Sequence, residues 1–372
     1  MQFIDLKYQQ SRIRDKLERR LKKVLDHGIY IMGPEVFELE ATLSKYVSTK
    51  HCISCSSGTD AILIPLLAKN IGPGDAVLTT PFTYIATAEV IALVGATPVF
   101  VDIYDSTFNI DPDGIKDAVN FATKKGLRPK AIIPVDLFGL PARHRIIKKM
   151  AEKHDLIIID DAAQGFGGQI GESLIGSFGH VTTTSFFPAK PLGCYGDGGA
   201  IFTENDEFAE IMKSIRVHGS GANKYENIRV GLNGRMDTVQ AAILLEKFSI
   251  FKEEVVLRNK VAKYYIDNIH NHLVVPYVPK NYLSSWAQFS ILANSEKDRK
   301  SYIEKLKEEN IPSMIYYSTP LHLQPVFRHL GYSIGDFPVS EKVSKSIFSI
   351  PMHPYLKKRD QDKIIQTLND YR

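Results

Sequence analysis

Short runs rich in β-branched and apolar residues recur through the first half of the chain, and most are followed by a helical pattern. This alternation restricts the fold more than any other feature. The strand-like runs are HCISC (51–55), AVLTT (76–80), TPVFVDI (97–103), KAIIPVDLF (130–138), LIIID (156–160) and HVTTTSFF (180–187). Helical periodicity fills 60–69, 84–94, 112–124 and 143–154. Several strands are apolar throughout, as needed when helices cover both faces of a sheet. The pattern predicts a doubly wound α/β architecture with a mostly parallel sheet.

Ahead of it, Ile13, Leu17, Leu21 and Leu25 recur at helical spacing, and Pro34 stands near the first turn of a further helix. A long helical pattern begins at Met236, and mixed elements punctuated by Pro276, Pro279, Pro312, Pro320 and Pro325 follow. We therefore expect a large domain over 1–248 and a smaller α+β domain over 249–372, in keeping with ~100–200 residues per domain.

With 46 basic and 42 acidic residues the net charge is only +4, which gives no global case for nucleic acid or membrane binding. Arg12, Arg14, Lys16, Arg19, Arg20, Lys22 and Lys23 read as the solvated faces of a helix. No run approaches the ~18 apolar residues of a spanning helix, and MQFIDLKYQQ holds no apolar signal core. The expected location is the cytoplasm. Cys52 and Cys55 form a C-x-x-C, but within a strand-like run they face opposite sides, and no second pair completes a zinc site. Buried structural thiols are the expectation.

The chemistry converges on VTTTSFFPAKPLGCYGDGG (181–199). Pro188 ends a strand, and Lys190 follows in a segment broken by Pro191, Gly193, Gly196, Gly198 and Gly199. A lysine fixed between an apolar strand end and a glycine-rich loop is easily desolvated. Its amine becomes neutral more readily and can then form a Schiff base. A surface lysine in a loop reads the same way from this stretch alone. SSGTDA (56–61) places small residues at a helix start after a strand, where free N–H groups attract an anion such as phosphate, although any capped helix looks similar. Pro65 interrupts that helix. Asp161 ends another strand, where an acid could ligate magnesium, act as a base or hold a protonated ring nitrogen, and Asp160 beside it could simply cap a turn. Lysine, carboxylate and phosphate cradle at one sheet edge fit pyridoxal 5′-phosphate, which needs a partner for its aldehyde, its ring nitrogen and its phosphate.

GTDA, TPFTYIATAEV, IDDAAQ, SFFPAKPLGCYGDGG and GLNGRMDTVQAA, in this order, resemble the DegT/DnrJ/EryC1/StrS sugar aminotransferases. The resemblance runs from FIDLKYQQ to PMHPYL, so it covers essentially the whole chain. It implies the three-layer fold type I of the aspartate aminotransferase superfamily, with pyridoxal 5′-phosphate as cofactor and pyridoxamine 5′-phosphate midway. On that likeness Lys190 bonds the cofactor aldehyde, Asp161 pairs with the pyridine nitrogen, Gln164 bonds the ring hydroxyl and Tyr84 stacks on the ring. Gly58, Thr59 and Ser185 bind the phosphate, completed by Asn233 from a partner subunit, which makes the active unit a homodimer.

The implied reaction takes the amino group of L-glutamate and passes it to a nucleotide-linked keto-sugar. Relatives with histidine in place of the lysine dehydrate sugars instead, and Lys190 argues against that branch. The opening and the lysine segment most resemble the branch that aminates UDP-linked 2-acetamido-3-keto hexoses for lipopolysaccharide and O-antigen. Neighbouring members take dTDP-3-keto-6-deoxyhexoses. Arg235 matches an arginine that contacts a uronate carboxylate, whereas Tyr316 stands where uronate-specific relatives carry histidine, so the glucose and glucuronate forms both stay open. Tyr316, Tyr317, His322 and His353 are candidates for the sugar side. Two rival classes are a nicotinamide oxidoreductase, for which SSGTDA supplies no G-x-G-x-x-G, and a cofactor-bound regulator without turnover.

Overall fold

The computed structural model describes residues 1–223, 225–270 and 272–370. Two helices lead, α1 (Leu6–His27) and α2 (Pro34–Val47). Then come β1 (His51–Cys55), α3 (Gly58–Ala68), β2 (Asp75–Thr79), α4 (Ala86–Leu93), β3 (Thr97–Phe100), α5 (Ile115–Lys124), β4 (Arg128–Ile133), α6 (His144–Lys153) and β5 (Ile157–Asp161). A ribbon of β6 (Gln169–Ile170) and β7 (Ser173–Leu174) precedes β8 (Val181–Ser185), β9 (Gly199–Thr203), α7 (Asp206–Arg216) and α8 (Thr238–Asn268). The last elements are β10 (Tyr282–Leu283), β11 (Phe289–Leu292), α9 (Glu296–Glu308), α10 (Pro338–Ser346), β12 (Ile347–Ile350) and α11 (Lys358–Asn369).

Seven strands form one sheet in the order β1-β9-β8-β5-β4-β2-β3. Its pairs are parallel except the two made by β9, which runs against β1 and β8. The sequence reading did not resolve β9, because its short apolar run directly follows GDGG and reads as the tail of the loop. Its neighbours on the sheet place Phe202 opposite Thr182 and Cys52.

Helices cover both faces. Ile53, Cys55 and Ile201 pack with Ala61 and Ile64 of α3 and Phe208 and Met212 of α7. Cys52 and Phe202 point the other way, into Leu39 and Leu43 of α2 and Leu244 and Phe251 of α8. Strand alternation thus sends the two thiols to opposite cores, and Cys52, Cys55 and Cys194 are free and buried. Each fully buried large apolar side chain contributes ~1.5–3 kcal/mol, and the sheet is lined with them on both sides.

Two local departures have simple causes. The first helix starts at Leu6, ahead of the apolar repeat, because the Asp5 carboxylate accepts from Tyr8 N–H at 3.0 Å and caps it. The third runs on through Pro65, whose side chain is buried within the sheet's helical cover. A missing N–H costs one intrahelical bond, and the surrounding apolar contacts of Ala61, Ile62, Ile64 and Leu66 hold the element together.

The 31-residue α8 is unbroken through residue 248. Its side chains as far as Val255 pack on the sheet, while Val261, Ala262, Tyr265 and Ile269 join a separate core with Phe289, Ile291, Leu306, Phe348, Ile350 and Ile364. That second core sits around the antiparallel pair β11–β12.

Candidate active site

β5 and β8 pair in parallel, and β1, antiparallel to the intervening β9, runs the same way as both, so the carboxyl ends of the three lie at one edge, where α/β sheets bind ligands. At this edge the chain turns tightly after Phe187, with Lys190 N–H donating to Phe187 O at 2.8 Å. Gly193 is required there, since a Cβ would stand 2.5 Å from Phe187 O and 2.6 Å from Pro188 O. Lys190 as a residue keeps some solvent contact, but its amine is set among protein atoms. Burial lowers its pKa below the ordinary lysine value, and the charge of Asp161 opposes that shift.

Asp161, the last residue of β5, is buried. One carboxylate oxygen accepts from Thr87 Oγ1 at 2.8 Å and the other from Ala163 N–H at 3.1 Å. Burial raises its pKa above the usual carboxylate value, against the pull of these two donors and of Lys190. A desolvated carboxylate of this kind favours a cationic partner, which fits a protonated ring nitrogen. Thr87, on α4, was not singled out from the sequence, although it lies within the TPFTYIATAEV segment.

The helix start of α3 meets the end of β8 at van der Waals contact. A Cβ on Gly58 would lie 2.5 Å from Ser185 Cβ and 2.9 Å from its Oγ. Ser57 caps the helix by accepting from Asp60 N–H at 3.0 Å, and Ser56 Oγ hydrogen-bonds the Asp60 carboxylate. The N–H groups of Gly58 and Thr59 belong to the first turn, which has no intrahelical acceptors. Unbonded N–H groups of this kind beside the Ser185 hydroxyl could hold an anion, and only a glycine at position 58 leaves that space open.

Gln164 is buried and held at both ends of its amide: Oε1 accepts from Phe138 N–H at 2.7 Å, and Nε2 donates to Tyr317 Oη at 3.2 Å. Ser285 Oγ further donates to Gln164 O at 2.8 Å. Tyr317 therefore sits beside Gln164, with Asp161, Tyr84 and Tyr316 all acting on its phenol, whose pKa burial raises. The sequence placed Tyr317 only with the sugar-side candidates. Tyr84 is exposed, at the turn that leads into α4, where Thr87 N–H donates to its carbonyl. Tyr316 adjoins Tyr317 edge to face, with ring centroids 5.9 Å apart.

Asn233 and Arg235 lie at a different place. They line a hollow of about 430 Å³ with Ile31, Ser56, Gly196, Asp197 and Gln240. Gly234 O accepts from Ser56 N–H at 3.0 Å, so this loop is tied directly to the start of α3. Asn233 is exposed, and the buried Nε of Arg235 has no hydrogen-bond partner.

Both candidate histidines are buried. His322 is 1% exposed, pairs with Glu341 at 3.1 Å and packs on Phe337. His353 is 4% exposed, its ring centroid lies 6.4 Å from that of Tyr355, and burial together with the charge of Arg258 lowers its pKa.

Known proteins can be set beside this geometry. Residues 11–369 match the DegT/DnrJ/EryC1/StrS aminotransferase family. The chain is 45% identical over 357 residues to a UDP-2-acetamido-2-deoxy-3-oxo-D-glucuronate aminotransferase of Pseudomonas aeruginosa, covering 96% of each. It is 41% identical to a pleiotropic regulatory protein of Geobacillus stearothermophilus, covering 99% of this chain and 97% of that one. A crystal structure of a DegT DnrJ EryC1 StrS aminotransferase from Brucella abortus superposes with a TM-score of 0.96 at 48% identity, covering 99% of this chain and 98% of the other. A match across nearly the whole length, on a fold whose strand ends gather the lysine, the carboxylate and the anion cradle, shows that this chain belongs to the DegT/DnrJ/EryC1/StrS aminotransferase family.

Proposed function

We propose that this protein is a pyridoxal phosphate-dependent aminotransferase that moves the amino group of L-glutamate to the 3-keto position of a nucleotide-linked sugar. The sugar is a UDP-2-acetamido-2-deoxy-3-oxo-hexose in its glucose or glucuronate form. One observation carries the reading: a desolvated lysine amine and a buried carboxylate act on each other at the strand edge, next to a cradle that a single Cβ would close. The relative from Pseudomonas aeruginosa supports the sugar class.

Bound pyridoxal phosphate supplies an aldehyde and an electron-accepting ring. The chain's residues then divide the work. Lys190, its amine held toward neutrality by burial, offers the nucleophile and afterwards moves the proton at the substrate carbon. Asp161 holds positive charge at the ring nitrogen, and Gln164, kept in place by Phe138 and Tyr317, faces the ring hydroxyl. Gly58, Thr59 and Ser185 bind the phosphate, and Tyr84 covers the ring. Asn233 reaches the site of a second copy of the chain: it is exposed, and Ile29, Tyr30, Ile31, Ile228 and Val230 in the neighbouring segments are exposed as well. Such apolar surface marks an interface. Arg235 and Tyr316 remain the candidates for the sugar end.

The test uses the purified protein. Borohydride should fix the cofactor on Lys190, and glutamate with a panel of UDP- and dTDP-3-keto sugars should release 2-oxoglutarate. Reaction with 4-keto sugars alone would overturn the 3-keto assignment. The regulatory name carried by the Geobacillus stearothermophilus relative favours one second reading, a cofactor-bound regulator. Binding of cofactor with no turnover of any sugar would favour that reading.

A further inference from the structure

Behind Asp161 lies a second group of ionisable side chains that the reaction above does not use. Asp136 follows β4, and its backbone N–H donates to Asp161 O at 3.0 Å. Asp160 precedes Asp161 in β5 and projects from the opposite face of the sheet. His144 opens α6. None of the three exposes more than 2% of its surface. Nε2 of His144 lies 2.8 Å from Asp136 Oδ1 and 3.6 Å from Asp160 Oδ1. Asp136 Oδ2, Asp160 Oδ1 and His144 Nδ1 have no hydrogen-bond partner.

Asp136, just past β4, and Asp160 and Asp161 at the end of the adjacent β5 thus crowd three buried carboxyl groups together. Like charges at such range disfavour one another's ionisation, and Asp136 acts in that sense on both Asp160 and Asp161. Lys190 is the cation acting on Asp161, but its amine must become neutral to react. His144 is the cation acting on Asp160.

We propose that Asp136, His144 and Asp160 form a charge-setting triad: His144 holds a proton between the two carboxylates, so that Asp161 keeps its own carboxylate for a cationic partner. His144 is then a positioning residue for the site, a role that rests on the cofactor reading given above. Other groups around the triad agree with it. Phe178 lies flat against the imidazole, with centroids 5.1 Å apart and planes 11° apart, which suits a cationic ring. Thr182 of β8 donates to Asp160 Oδ2 at 3.4 Å, and the phenol of Tyr282 on β10 feels Asp136 together with Arg143 and Arg145. Gly165 closes the pocket over Asp136, where a Cβ would come within 2.3 Å of the Asp136 Cβ. The two carboxylates raise the His144 pKa to about 9 despite burial, and burial together with Asp136 raises that of Asp160.

Nitrogen NMR of the cofactor-free protein, with His144 assigned through His144→Gln, reads the triad independently of any activity. Both ring nitrogens should stay protonated from about pH 6 to 8, where free histidine titrates. In the loaded enzyme His144→Gln should move the acidic limb of kcat/KM to higher pH by about one unit, a tenfold change in proton affinity. Adding Asp160→Asn, which removes one negative charge, should return it. A neutral ring titrating near its ordinary value would overturn the proposal. So would a pH-independent loss that the double variant does not restore. The donor atoms all lie within 4.8 Å of one another, so a stoichiometric divalent metal lost with His144→Gln would overturn it as well. A protonated ring in a protein that transfers no amino group would leave the triad standing and refute only the cofactor reading.

Discussion

Gly58→Ala tests the anion cradle at its narrowest point. The added methyl would sit 2.5 Å from Ser185 Cβ, 2.9 Å from Oγ and 3.2 Å from Cα. Two of these atoms belong to or adjoin the backbone of β8, so no side-chain rotation relieves the clash. Overpacking of this size costs ~1–3 kcal/mol, and the better helix propensity of alanine returns ~0.5–1 kcal/mol. Global stability should therefore fall by no more than about 2.5 kcal/mol. The strain is relieved by moving the start of α3 away from β8, which separates the Gly58 and Thr59 N–H groups from the Ser185 hydroxyl. Cofactor affinity should drop by roughly 10- to 100-fold, following ~1.4 kcal/mol per tenfold. Titrating the cofactor-free protein by absorbance, with a thermal melt of the same sample, reads both numbers. Ser185→Gly added to Gly58→Ala should restore the melt but not the full affinity. Unchanged cofactor affinity in a folded Gly58→Ala protein would refute the cradle.

Asp161→Asn keeps an oxygen for Thr87 Oγ1 but removes the charge, so kcat should fall by on the order of 10²–10³-fold with little change in melting temperature. Tyr317→Phe frees Gln164 Nε2 from its 3.2 Å hydrogen bond, worth ~1 kcal/mol, and should raise the apparent cofactor Kd several-fold. Lys247 is buried beneath Tyr195, its ammonium 5.0 Å from the ring, and burial lowers its pKa to about 8. A lysine whose folded pKa is lowered penalises the fold below that pKa, and the penalty fades as pH rises toward the unfolded value. Lys247→Met should accordingly raise stability, by up to about 2–3 kcal/mol, at pH 7 and below. Denaturant melts against pH should show the gain shrinking above about pH 8 and gone near the ordinary lysine value.

The alternation of runs such as HCISC, AVLTT and LIIID with helical periods determines the layer architecture, because a period is a local property. Lys190 and Asp161 stood out as candidates for a related reason: Asp161 ends one strand-like run and Lys190 lies in the loop just past another, and strand ends gather at one sheet edge. Tertiary structure alone decided the rest. The strand β9 pairs against both neighbours, which a run hidden behind GDGG does not reveal. His322 and His353 are buried, with Glu341 paired to the first and the charge of Arg258 acting on the second. Thr87 becomes a partner of Asp161 and Tyr317 a partner of Gln164 across 74 and 153 residues of chain. His144 meets Asp160 only because α6 packs back on β5. Contacts of that kind depend on which faces meet, and a one-dimensional pattern states which face is apolar but not what lies opposite it.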